Sequence, residues 1–124
     1  MATNQVAARY VVVNGGGSVR IDPAHGPTDV HIQNIQVPGL ISGPNVLFFR
    51  THHYNGKPTL RVRFGSQPQP LIQYTFPDNV PVDWQTIIPA GQLLSQNELI
   101  FSINSGHGLI DIGDIFILYT TRIE

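Results

Sequence analysis

From Asn97 to Tyr119, apolar and polar positions alternate in a way that predicts two strands and a turn. Leu99, Phe101 and Ile103 alternate with Ile100, Ser102 and Asn104, the two-residue period of a β-strand. Ser105 to Gly108 predicts a turn. Leu109 to Tyr119 resumes as a second strand whose phase slips at Gly113-Asp114. Ile110 and Ile112 share one face before the slip, and Ile115, Ile117 and Tyr119 share the other after it. A one-residue slip at a strand glycine predicts a β-bulge. The two segments read as the hairpin at the core of an all-β sandwich.

The same period recurs along the chain. Val6 to Val13 predicts a strand that ends in a turn at Asn14–Gly17, and Ser18 to Ile21 predicts a short second one. Asp22 to Asp29 carries turn chemistry. Val30 to Ile35 alternates again, and Pro38-Gly39 and Gly43-Pro44 punctuate the next connection. Val46 to Tyr54 predicts a strand with its apolar half first. Asn55-Gly56 is the strongest short-range hairpin signal, because both residues accept positive φ. Thr59 to Phe64 sets Leu60, Val62 and Phe64 on one face and Arg61 and Arg63 on the other. Leu71 to Phe76 and Val82 to Ile88 complete the set. Only Gln92 to Gln96 could form a helical turn, since no window holds a 3.6-residue period. The chain therefore predicts one domain spanning residues 1–124. It is an antiparallel β-sandwich of jelly-roll type with about eight strands and almost no helix.

Composition narrows the function classes. Charged residues make up 12% of the chain and hydrophobic residues 41%, which suits a packed β protein and not a disordered one. A net charge of −1 gives no electrostatic reason to expect a nucleic-acid partner. No run approaches the ~18 apolar residues of a membrane-spanning helix, so membrane insertion is not expected. The first ten residues lack the apolar core of a secretory signal, so export by that route is not expected, and the location stays open between cytoplasmic and release by a non-classical route. The absence of cysteine excludes disulfides and thiolate metal sites. No cofactor is implied.

Several motifs invite chemistry. Gly15 to Gly17 follow a strand, but there is no GxxxxGK[ST] spacing and no helix after them, so the reading is a turn. His52 and His53 are adjacent in a strand and face opposite sides, which argues against one shared metal ion. Asp111 and Asp114 are the closest carboxylates, without an evident partner for acid–base work. No GxSxG elbow is present. The chain does not read as an enzyme, and a small hydrolase ranks last.

IPAGQLL, then QNELIFSI, then IGDIFILY, together spanning Ile88 to Tyr119, resemble the last part of galactose-binding-like jelly-roll domains, which include many carbohydrate-binding modules. The shared features are a Pro-containing turn with a Leu pair, an Asn before an alternating strand, and a last strand carrying an Asp. The resemblance implies a non-enzymatic lectin fold in which Asn97 and Asp114 satisfy backbone groups at strand ends.

A sugar site needs an aromatic face for the apolar side of a pyranose and planar polar groups for its hydroxyls. The expected site lies beside the Tyr54–Asn55 tip and the Asp83-Trp84 segment. Trp84 or Tyr54 would stack, His53 and Arg61 would donate, and Asp83 would accept. The competing reading puts Trp84 in the core or closing one end of the sandwich, and puts Arg61 and Arg63 on a solvated face. The function expected is a carbohydrate-binding module, its partner a carbohydrate ligand, assembled as a homo-oligomer because a lone sugar site binds weakly. The alternative is an assembly domain whose apolar, aromatic face binds copies of itself or another protein.

Overall fold

Eight strands, and no helix among the described residues, make up the computed structural model, which describes residues 5–26, 28–77 and 81–123. In chain order they are β1 (Gln5–Ile21), β2 (Asp29–Gln36), β3 (Val46–Tyr54), β4 (Thr59–Phe64), β5 (Ile72–Thr75), β6 (Val82–Ile87), β7 (Gln96–Ser105) and β8 (Leu109–Ile123). They form two four-stranded antiparallel sheets, ordered β1-β8-β3-β6 and β2-β7-β4-β5. This is the strand order of a jelly roll. The helical turn expected at Gln92–Gln96 does not form: the turn lies just before it, closed by Gln92 N–H donating to the Pro89 carbonyl at 3.1 Å, and Gln96 already begins β7.

The inward positions of both sheets interdigitate as one apolar layer. Phe49, Ile112, Ile115 and Ile117 come from the first sheet, and Leu60, Val62, Leu99 and Phe101 from the second, all essentially inaccessible to solvent. Burying each such side chain stabilises the fold by about 1.5–3 kcal/mol. Arg61 and Arg63 point outward from β4, as the alternation predicts, and their guanidinium groups donate to the carbonyls of Pro68 and Gln67 in the next loop. Asn97 is buried and satisfies backbone groups: it accepts from Leu94 N–H at 2.8 Å and donates to the Leu94 carbonyl at 2.6 Å.

Two expected hairpins do not exist. β7 and β8 are consecutive but lie in different sheets, as do β3 and β4. β8 pairs with β1 and β3, and β7 pairs with β2 and β4. The turns at Ser105–Gly108 and Asn55–Pro58 therefore carry the chain across the sandwich. Both strands are central in their sheets, so each needs two neighbours, and wrapping supplies them from distant parts of the chain. The two crossing turns lie backbone against backbone. A Cβ at Gly106 (φ 86°) would stand 2.5 Å from the Lys57 carbonyl oxygen, and one at Gly108 (φ 121°) 2.6 Å from that of Tyr54.

The turn expected at Asn14–Gly17 is also absent. β1 runs through it as one strand, because the segments on either side pair with the same partner. Val12 pairs with Phe116, Asn14 with Ile115 and Ser18 with Gly113. The extra residues lie opposite the phase slip of β8, where the register of β3 shifts between Phe48 and Arg50. Asp114 takes φ 49° there, a left-handed conformation that Asp adopts more readily than most residues. The β-bulge expected at Gly113-Asp114 is thus present: β8 has one residue more than β3 there, and β1 bulges opposite it.

Candidate functional site

The structure does not gather the five residues expected to bind sugar. His53 is fully buried between the sheets, its ring stacked on Phe76 at 4.6 Å. Tyr54, next in sequence, is on the opposite face of β3, where it stacks on His52 at 4.3 Å. Arg61 is on the outer face of the other sheet. Asp83 is exposed on the outer face of the first sheet and accepts from Arg50 Nε at 3.0 Å. Trp84 faces inward and is half-buried: it stacks on Phe49 at 5.8 Å, meets Tyr74 edge-on, and donates from Nε1 to Thr51 Oγ1 at 3.1 Å. Among these five, only Asp83 and Trp84 line a common cleft.

That cleft opens on the outer face of the first sheet, which the bulge divides into two halves. On the β1 N-terminal side the outward positions next to the bulge are mainly apolar, with Thr120 and Arg122 farther along β8. Phe48 and Phe116 stack across β3 and β8, with ring centroids 4.7 Å apart and planes 10° from parallel. Tyr10 meets Phe116 edge-on at 5.7 Å, which extends the aromatic row to the β1 edge. Around this row, Tyr10, Val12 and Ile87 are 65%, 68% and 75% exposed. Leu118 and Val46 lie beside it on β8 and β3.

On the other side of the bulge the same face is ionic. Arg20 holds Asp111 through two hydrogen bonds, at 2.7 and 2.8 Å. The bonded guanidinium keeps the Asp111 carboxyl below the usual carboxylate range. Arg50 bonds Asp83 and lies 3.6 Å from Asp114, so two carboxylates share one cation. At the boundary between the halves is a groove of about 520 Å³. Phe48, Phe116 and Val12 wall it on the apolar side, and Arg50, Asp83 and Asp114 on the ionic side.

The outer face of the second sheet is polar. His31 lies between two carboxylates, 2.8 Å from Asp29 and 3.1 Å from Glu98. The hydrogen bond to Asp29, then that to Glu98, raises the His31 pKa above its ordinary value. Those to Glu98 from His31 and then from Gln33 lower that of the carboxyl. Among the described residues no group of three or more His, Asp or Glu side chains is placed to hold a metal ion. His52 and His53 do face opposite sides of β3, and Asp114 pairs with Arg50 where the resemblance implied a backbone role.

Sequence reasoning missed Tyr10, Val12, Phe48, Ile87 and Phe116 as surface residues. The signal was present in VLFF of β3 and IFIL of β8, which are apolar at consecutive positions. A strand that is apolar on both faces has one face for the core and one left over. No protein-family model matches this chain, and no curated protein matches it either.

Proposed function

We propose that this protein is an assembly domain, a jelly roll whose first sheet associates through its outer face with further copies of the same chain. The observation that carries this reading is the aromatic row Tyr10–Phe116–Phe48 together with the exposed Val12 and Ile87. Isolated apolar residues on a surface are ordinary, but a contiguous aromatic and aliphatic sheet face marks an interaction surface. The net charge of −1 offers little long-range repulsion between copies. Sedimentation of the full chain across micromolar concentrations tests the reading. The expected result is a reversible oligomer that Tyr10→Asp reduces to the 13.7 kDa monomer. A monomer at every concentration would refute it.

A specific observation favours carbohydrate binding as a second reading. The groove of about 520 Å³ sets aromatic edges beside Arg50, Asp83 and Asp114, a pairing of apolar wall and planar polar groups suited to a sugar ring. Association through the face would cover this groove, so the two readings compete. A glycan array on the monomeric Tyr10→Asp protein separates them. Sugar binding there, lost on Arg50→Ala, supports the second reading, and an array with no bound glycan removes it.

A further inference from the structure

We infer that two copies meet antiparallel, face to face across the first sheet, about a twofold axis that crosses the strands at Leu118 and sets Arg122 of each copy against Asp114 and Asp83 of the other. This rests on the assembly reading above and adds the number of copies, their direction and the charges that select it. The outward side chains of β8 run Asp114, Phe116, Leu118, Thr120, Arg122, alternating with the buried Ile115, Ile117, Tyr119 and Thr121. Leu118 is therefore the midpoint. Arg122 lies four residues to one side of it and Asp114 four to the other, about 13 Å each way at the rise of a strand. Reversing the strand about Leu118 exchanges the two positions, and a twofold contact requires that kind of self-complementarity.

Among the described residues the charges at the two ends are opposite. Asp83 and Asp114 share the single cation Arg50, which leaves one negative charge in excess, and their side chains are 69% and 52% exposed. Arg122 is exposed and has no ion pair among the described residues. Between the ends, the outward residues of β1, β8, β3 and β6 are uncharged, from Tyr10 and Val12 across Phe116 and Phe48 to Ile87. The parallel alternative, with its axis along the strands, would set Arg122 beside the partner's Arg122 and carboxylates beside carboxylates. Like-charge contacts of that kind select against a docking mode. Two sheet faces packed with nearly aligned strands are also a standard geometry for burying apolar β surface.

Sedimentation equilibrium on the full chain, with circular dichroism as the folding control, tests the arrangement. The wild-type protein is expected at twice 13.7 kDa, with a dissociation constant that rises with added salt. Arg122→Asp should weaken the dimer by about tenfold, and adding Asp83→Lys to it should restore most of the loss, because the end charges are then exchanged. If Arg122→Asp does not fold, Arg122→Gln is the substitute, with a smaller weakening in the same direction. A dimer that Tyr10→Asp dissociates but Arg122→Asp and Arg122→Gln leave unchanged would overturn the antiparallel mode while keeping the face. So would a species of three or more copies, or a double variant that dimerises no better than Arg122→Asp alone. A wild-type monomer throughout would overturn the mode together with the assembly reading.

Discussion

Phe48 and Phe116 stack face to face on the solvent side of the first sheet, 4.7 Å apart and directly opposite in the β3–β8 register. A cross-strand aromatic pair stabilises a sheet by about 0.2–1 kcal/mol. The rings are already partly buried within the sheet face, and covering the face would bury the remainder. Phe116→Ser should cost the monomer about 1–3 kcal/mol, from losing the pair and the part of the ring that is already buried. It should also weaken association. The check is thermal unfolding together with sedimentation on one variant, and a normal oligomer would take the stack out of the interface.

Trp84 answers a different question. It faces inward against Phe49, with its indole N–H on Thr51. Trp84→Ala should lower folding stability by about 3 kcal/mol, the low end for a large aromatic because the ring is only half-buried. Trp84→Phe should lose about 1 kcal/mol, the value of the Thr51 hydrogen bond. Both variants should keep the wild-type oligomeric state. Chemical denaturation gives the two numbers, and a Trp84→Ala protein as stable as wild type would contradict the packing role.

The crossing turns predict a backbone effect. Gly106 and Gly108 hold positive φ where a Cβ would press on the backbone of Lys57 and Tyr54. Alanine at either position carries the left-handed penalty of about 1–2 kcal/mol and the clash in addition. Gly91 offers the control, because it too has positive φ, 82°, but nothing within 4 Å of an added Cβ. Gly106→Ala and Gly108→Ala should each lower Tm further than Gly91→Ala. Equal losses at all three would mean that the two turns do not constrain each other.

His31 and Glu98 set a pH window. The raised His31 pKa means that its stabilising contribution is complete below the unfolded value of 6.5 and is lost as pH rises through the higher folded value. The lowered Glu98 pKa means that its contribution is present above 4.5 and is lost as pH falls through the lower folded value. The pair therefore stabilises most between pH 4.5 and 6.5. His31→Gln should lower Tm at pH 5.5 more than at pH 9, by a small margin because the groups face solvent. A Tm difference between wild type and His31→Gln that does not change with pH would rule the coupling out.

Much of this molecule was legible because alternation is local. The strands, the bulge at Gly113-Asp114, the outward Arg61 and Arg63 and the opposed His52 and His53 all follow from side chains changing sides at each residue. Which of two adjacent residues lies inside is not local. His53 rather than His52 is buried because Phe76 arrives against that side of β3 from beyond β4 and β5. That burial takes His53 away from the surface where the expected sugar site placed it.

Strand pairing, in contrast, depends on contacts between distant parts of the chain. The turns after Tyr54 and after Ser105 carry good hairpin residues, yet each leads into the other sheet. Turn chemistry sets how sharply a chain reverses, whereas the partner of a strand is whichever distant strand completes the burial of its face. Consecutive apolar residues in VLFF and IFIL already mark these parts of β3 and β8 as apolar on both sides. Only the fold showed that their outer sides lie next to one another and next to β1, so that Tyr10, Phe116 and Phe48, far apart in the chain, become one row on a single face.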